Sequence, residues 1–150
     1  MIKYSEYEQE AINVALSAIQ QTLTSSDVMD SPKEVQNYLT LKLAAEPDEW
    51  FGVMFLTNKH RLISFERLFR GTVNASHVHI RVIARKALEF NAAAVILAHN
   101  HPSGIAEPSS ADQSITTNIK EALQIFDVRV LDHFIVSPGE SCSLAERGWL

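Results

Sequence analysis

The 150-residue sequence has a single cysteine, Cys142, and no long apolar segment. One cysteine excludes an intramolecular disulfide, and it excludes zinc or iron–sulfur sites that are built from several cysteines. The longest uncharged apolar run, residues 92–98, is far shorter than the roughly 20 residues that a membrane-spanning helix needs. Residues 1–6 lack the apolar core of a signal peptide. We therefore expect a soluble, cytoplasmic protein.

The sequence also lacks an excess of positive charge. Its 13 Lys and Arg residues stand against 18 Asp and Glu residues, which gives a formal net charge of −5. Broad electrostatic binding to nucleic acid requires a basic face, so this balance argues against it. The length is typical of one domain that can bury a core without disulfides.

Apolar spacing predicts helices and strands that alternate along the chain. An amphipathic helix is expected over residues 4–23, followed by a polar linker at 24–27; this helix could be an appendage or could pack on the domain. Ser31 is predicted to start the next helix, with Pro32 at its first position and Glu34 completing a capping box, and Pro47 is predicted to end it. The remaining predicted elements are a hairpin at 50–56 and 62–69, a helix at 79–90, a buried strand at 92–98, a helix at 110–126, and strands at 128–136 and 141–144.

This order of elements predicts an α/β sandwich, in which a mixed sheet is flanked by helices. We divide the chain into an N-terminal helix and linker, residues 1–30, and a main domain, residues 31–150.

The segment most informative about function follows the predicted buried strand. His99 and His101 are two residues apart, so on a strand both imidazoles face the same side. Sites in open α/β sheets gather at the carboxyl ends of strands, and imidazole is a good ligand for zinc. Asp112 would add a carboxylate from the first turn of the next helix. Three protein ligands and a water form the arrangement of a catalytic zinc site.

Each part of this pattern also has a purely structural interpretation. A pair of histidines separated by one residue can arise by chance in a chain that has six histidines. Ser109 and Asp112 fit the Ser-x-x-Asp capping pattern, which needs no function. The two interpretations are compatible, because a capped helix start is a rigid place to mount a ligand.

The complete string is more specific than its parts. It reads His-x-His, seven intervening residues, then Ser-x-x-Asp, and it is matched without a gap by His99, His101, Ser109 and Asp112. This string resembles the JAMM signature of metallopeptidases in the JAB1/MPN superfamily. The segments at 69–72, 98–104, 131–136 and 145–149 closely resemble the RadC family of bacterial proteins. The resemblance covers about residues 32–150 and implies a JAB1/MPN-like (deaminase-like) sandwich, in a short form without the helix-hairpin-helix region of longer members.

The resemblance also implies roles for individual residues. Glu49 takes the place of the upstream JAMM glutamate and would act as general base. One zinc ion per chain would be bound by His99, His101 and Asp112, and Ser109 would hydrogen-bond the developing oxyanion or the metal-bound water. The implied activity is that of a peptidase or isopeptidase on an unidentified peptide or protein. Without the resemblance, Glu49 would be interpreted as a solvated glutamate at a strand edge.

Two other classes of function stay open at this point. The chain could be a non-catalytic binding or scaffold module, or it could serve DNA repair, as the historical family label suggests. The complete set of five residues favours an enzyme, because a scaffold has no chemical need for it. The negative net charge makes direct contact with nucleic acid unexpected. His133, which lies among apolar residues, is expected to be a hydrogen-bonded core histidine rather than a ligand.

Overall fold

The computed structural model describes residues 3–71 and 78–150. Residue 72, the last of the segment 69–72 that resembles the RadC family, therefore lies outside the described residues, and so does His77, which the sequence suggests is a loop residue. The elements, in chain order, are α1 (Glu6–Ser25), a 3₁₀ turn (Val28–Asp30), α2 (Pro32–Leu43), β1 (Trp50–Leu56), β2 (Leu62–Arg70), α3 (Ile80–Glu89), β3 (Ala94–Asn100), α4 (Ser110–Gln124), β4 (Arg129–Ser137) and β5 (Glu140–Ser143).

The five strands of the described chain form one mixed sheet in the order β2-β1-β3-β4-β5. Strands β3 and β4 are parallel, and the other neighbouring pairs are antiparallel. Helix α4 makes the crossover between the parallel pair, as a parallel connection requires. The predicted hairpin of β1 and β2 is confirmed.

Helices cover both faces of the sheet. Successive side chains on a strand point to opposite faces, and the two apolar clusters follow that alternation. Phe51, Val53 and Phe55 of β1 pack in one cluster with residues of α3 and α4. Met54 and Leu56 pack in the other cluster with residues of α2. The predicted α/β sandwich with a mixed sheet is therefore confirmed.

Helix α1 packs on the α2 side of the sandwich. Leu16, Ile19 and Leu23 contact that cluster, and Leu23 is fully buried. The helix runs to Ser25, so the polar connection begins two residues later than the sequence suggested. None of the helices in the described segments is long and apolar enough to cross a membrane.

The start of α2 differs from the prediction. Pro32 occupies the first turn as expected, but the Ser31 side chain makes no capping hydrogen bond. Ser31 closes the preceding 3₁₀ turn through its N–H to the Val28 carbonyl, which holds it at φ −134° and ψ 55° rather than in the extended conformation of a capping residue. The predicted capping box at Ser31 and Glu34 is therefore wrong. The helix ends at Leu43, before Pro47 is reached.

Candidate metal centre

The pairing of β1 with β3 brings Glu49 to the two histidines. Phe51 lies opposite His99 in this antiparallel pair. Glu49 directly precedes β1 and His101 directly follows β3, so both lie just beyond this end of the paired strands. His99 is the penultimate residue of β3, and His101 directly follows the strand.

The donor atoms of these three side chains converge. His99 Nε2 lies 3.0 Å from His101 Nε2, and His101 Nε2 lies 3.8 Å from Glu49 Oε1. One ligand atom from each of the three residues lies within 4.8 Å of the other two. His99 is fully buried, while the side chains of His101 and Glu49 are partly exposed. The group therefore opens to solvent on the side of Glu49.

Asp112 reaches the same point from the first turn of α4. Its Oδ1 lies 3.2 Å from His99 Nε2, and its Oδ2 lies 3.7 Å from His101 Nε2. Burial acts to raise the pKa of Asp112, but the hydrogen bond and charge of His99, together with the N–H of Ser109, hold that pKa well below its usual value. The carboxylate is thus kept ionised, which is the form that binds a metal.

Ser109 caps α4. Its Oγ accepts a hydrogen bond from the Asp112 N–H at 3.1 Å, and its own N–H donates to Asp112 Oδ2 at 2.7 Å. The capping box considered from the sequence is confirmed, and it fixes the position of the Asp112 carboxylate. The Ser109 side chain lies at the exposed start of the helix.

These residues fit a zinc ion. Zinc in proteins binds imidazole nitrogen and carboxylate oxygen, with Zn–N distances of about 2.0–2.1 Å. Two nitrogens on one tetrahedral zinc ion are therefore about 3.3 Å apart, which is close to the 3.0 Å between the two Nε2 atoms. Both oxygens of Asp112 lie closer to a histidine Nε2 than Glu49 Oε1 does. Asp112 and Glu49 therefore each offer a carboxylate beside the two imidazoles.

Each histidine is held through its other ring nitrogen. His101 Nδ1 donates to the Ile105 carbonyl at 2.9 Å. His99 Nδ1 lies 2.7 Å from His133 Nε2, and the His99 ring stacks on Phe51 at 6.3 Å between centroids. His133 is fully buried and lies 2.6 Å from Thr116 Oγ1, so the prediction of a hydrogen-bonded core histidine is confirmed.

Asn100, between the two histidines, is a site residue that the sequence interpretation missed. Its side chain is fully buried. Its Oδ1 accepts from the Trp50 N–H at 2.7 Å, and its Nδ2 donates to the Asp48 carbonyl at 2.9 Å. The backbone on both sides of Glu49 is therefore tied to β3. An Asn flanked by two candidate ligands on a buried strand is the signal that could have identified it.

The loop between His101 and Ser109 is anchored to β4, to β5 and to the C-terminal turn. Ser137 Oγ donates to the Gly104 carbonyl, and the Ala106 N–H donates to Glu140 Oε1 at 2.6 Å. Glu107 accepts two hydrogen bonds from the Arg147 guanidinium, each 2.7 Å long. This guanidinium lowers the pKa of Glu107. The loop is thus held at several points along its length.

Comparison with known proteins identifies the family. A family model described as a RadC-like JAB domain matches residues 29–149. The chain belongs to the RadC-like JAB domain family. This confirms the family and the fold class that the motifs predicted.

Relatives of this RadC-like JAB domain are similar along nearly all of the chain. A UPF0758 protein of Nitrosococcus oceani is 51% identical over 148 residues, which cover 99% of this chain and 66% of the relative. The UPF0758 protein Mpe_A2695 of Methylibium petroleiphilum is 52% identical over 139 residues, covering 93% of this chain and 63% of the relative. The chain thus spans about two thirds of the length of these relatives. Their names state no activity, so the roles of Glu49, His99, His101, Ser109 and Asp112 stay predictions.

Proposed function

We propose that this RadC-like JAB domain is a zinc-dependent hydrolase that acts as a peptidase or isopeptidase. One zinc ion per chain would be held by His99, His101 and Asp112. The observation that carries the proposal is the convergence of two imidazole nitrogens and two carboxylates at one partly open point. A module that only binds a partner has no need for this set of donors.

Glu49 is the proposed general base. The chemistry that a bound zinc ion supplies is the activation of water, whose pKa falls to about 7. Glu49 Oε1, 3.8 Å from His101 Nε2, would accept a proton from the attacking water and return it to the leaving amine. The side chain of Glu49 is about 20% exposed, so substrate can reach it.

Ser109 is the proposed hydrogen-bond donor to the substrate oxygen. Its Oγ already accepts from the Asp112 N–H. Among the described residues, this leaves its hydroxyl hydrogen available to stabilise a developing oxyanion. The resemblance of the His-x-His and Ser-x-x-Asp string to the JAMM signature of metallopeptidases is what makes a peptide or an isopeptide the proposed substrate. With a net charge of −5, direct binding of nucleic acid is not part of the proposal.

The proposal is tested by replacing Glu49 with Gln in zinc-loaded protein. A mixture of synthetic peptides, including isopeptides joined through a lysine side chain, is incubated with each protein and analysed by mass spectrometry. We expect the wild type to cleave, and Glu49→Gln to keep its zinc while its rate falls by about 10²–10⁴-fold, because the proton acceptor is lost. Glu121→Gln, on the exposed side of α4, is the matched control and should cleave as the wild type does.

Three results would contradict the assignment. Cleavage by Glu49→Gln at the wild-type rate would exclude Glu49 as the base. Loss of zinc from that variant would make Glu49 a ligand. A zinc-loaded wild type that cleaves none of the peptides would favour the alternative of a non-catalytic binding or scaffold module.

A further inference from the structure

A chain of short hydrogen bonds runs behind His99, away from the open side of the site. Thr116 Oγ1 lies 2.6 Å from the Asp112 carbonyl oxygen and 2.6 Å from His133 Nδ1. His133 Nε2 lies 2.7 Å from His99 Nδ1. Thr116, His133 and His99 are all essentially unexposed to solvent. This series of hydrogen bonds thus connects the helix that carries Asp112 to the strand that carries His99.

The direction of each hydrogen bond in this chain follows from the carbonyl at its end. A carbonyl oxygen can only accept, so Thr116 must donate its single hydroxyl hydrogen to the Asp112 carbonyl. Thr116 Oγ1 can then only accept from His133, which places a proton on His133 Nδ1. The ring nitrogens of His133 hydrogen-bond to a hydroxyl and to an imidazole, and neither partner is an anion, so a neutral ring is favoured in this buried position.

A neutral His133 with its proton on Nδ1 has a lone pair on Nε2. His99 Nδ1 must then donate its proton to that lone pair. His99 Nε2 faces His101 Nε2 and Asp112 Oδ1, and a metal bound there would take the place of the hydrogen that Nε2 otherwise donates to Asp112. On the other side of the site, the Ile105 carbonyl fixes the proton of His101 on Nδ1 in the same way.

We propose that Thr116 and His133 are positioning residues that set the tautomer of His99, so that its Nε2 lone pair is presented to the metal. The use of that lone pair as a ligand rests on the function proposed above, whereas the tautomer itself does not. With the opposite tautomer, His99 would carry its single hydrogen on Nε2, aimed at His101 Nε2 and Asp112 Oδ1, and could not bind a metal through that nitrogen. Partners of metal-binding histidines typically change metal affinity by about 10–100-fold when they are removed.

Thr116→Val is the variant that isolates the hydroxyl, because valine has nearly the shape of threonine. The methyl group cannot accept from His133 Nδ1, so His133 is free to carry its proton on Nε2 and donate it to His99. Thr116→Ser keeps the hydroxyl and is the matched control. Thermal unfolding of both variants checks that each one folds.

Two measurements test the proposal. The first is the ¹⁵N shifts and long-range couplings of the histidine rings in metal-free protein. We expect protons on Nδ1 of His133 and His99 in the wild type and in Thr116→Ser, and on Nε2 of both rings in Thr116→Val. The second is zinc affinity by competition with a chelator, which should fall by about 10–100-fold in Thr116→Val and stay near the wild-type value in Thr116→Ser.

A wild-type His133 with its proton on Nε2 would overturn the proposal, whether or not the protein binds zinc. Equal zinc affinity in the Thr116→Val and Thr116→Ser variants would also overturn it, whether that affinity equals the wild-type value or is reduced in both. A wild type that binds no zinc would contradict the proposed function alone, because the ring shifts would still decide the tautomer.

Discussion

Asp112 and Asp132 are both buried carboxylates, yet their surroundings shift their pKa values in opposite directions. The pKa of Asp112 is lowered, because the hydrogen bond and charge of His99 outweigh the effect of burial. The pKa of Asp132 is raised by burial, despite hydrogen bonds from Ser143, Ala145 and His133. The Ser143 hydroxyl donates to Asp132 Oδ2 at 2.6 Å, and the Ala145 N–H donates to Oδ1 at 3.0 Å. Asp132 therefore anchors the C-terminal turn to β4 rather than serving the site.

The raised pKa of Asp132 predicts a pH dependence of stability. Protonated Asp132 favours the folded state, so its contribution is fully present below the unfolded pKa and is lost as pH rises through the higher folded pKa. Between about pH 3.5 and pH 7, we expect the wild type to lose free energy of unfolding relative to Asp132→Asn, which has no charge to gain. Urea unfolding of both proteins across this range measures the difference. A difference that stays constant, or that changes in the opposite sense, would contradict the raised pKa.

At the scale of elements, the site depends on the register between β1 and β3 and on the buried Asn100. This side chain uses its oxygen for Trp50 and its amide for Asp48, so both of its chemical ends are needed. The register places Phe51 opposite His99, so that Glu49 and His101 lie together beyond this end of the pair, and Asn100 holds the segment that precedes β1 against β3. Glu49, the proposed general base, is thus positioned by two strands and one amide.

Asn100→Asp should weaken this connection without changing the size of the side chain. The new oxygen would face the Asp48 carbonyl and could not donate to it. We expect the free energy of unfolding to fall by about 1–3 kcal/mol, the cost of an unsatisfied buried polar group. Asn118→Asp, on the exposed side of α4, should change it by less than about 0.5 kcal/mol. If urea unfolding shows the same loss of free energy of unfolding for both substitutions, the Asn100 amide does not hold the segment that precedes β1.

The elements were largely predictable from the sequence because their apolar patterns are strong. β1 begins at Trp50 and ends at Leu56 as the run of apolar residues predicts. The convergence of Glu49 with His99 and His101 was expected only from the resemblance, because a strand register is not visible in one sequence. The prediction that Ser31 caps α2 was wrong, because the 3₁₀ turn before it is a tertiary feature. The roles of Asn100, Thr116 and His133 depend on contacts between distant residues, which no local pattern contains.

At the scale of the whole molecule, α1 completes the layer that covers one face of the sheet. Leu23 is fully buried, and Val28, in the following turn, is 1% exposed. Both belong to the cluster that contains α2 and the inner residues of β1 and β3. The N-terminal helix is therefore part of the packing of the sandwich.

Leu23→Ala should consequently destabilise the protein as a central core substitution does. We expect the free energy of unfolding to fall by about 2–5 kcal/mol, because the substitution leaves a cavity. Val14→Ala, on the same helix with 66% of its surface exposed, should change it by less than about 0.5 kcal/mol. Urea unfolding of both variants measures these changes. If α1 were only attached to the domain, both substitutions would change the free energy of unfolding by less than about 0.5 kcal/mol.

The central claim concerns the metal, and it is tested most directly by elemental analysis of protein purified without chelator. We predict about one zinc ion per chain in the wild type, and none in the His99→Ala, His101→Ala double variant, because both nitrogen ligands are removed. His60→Ala is the matched control and should keep its zinc, since His60 contacts Asp27 and Arg129 instead of the site. A wild type that holds no zinc, even after zinc is added and the free metal is removed, would contradict the account.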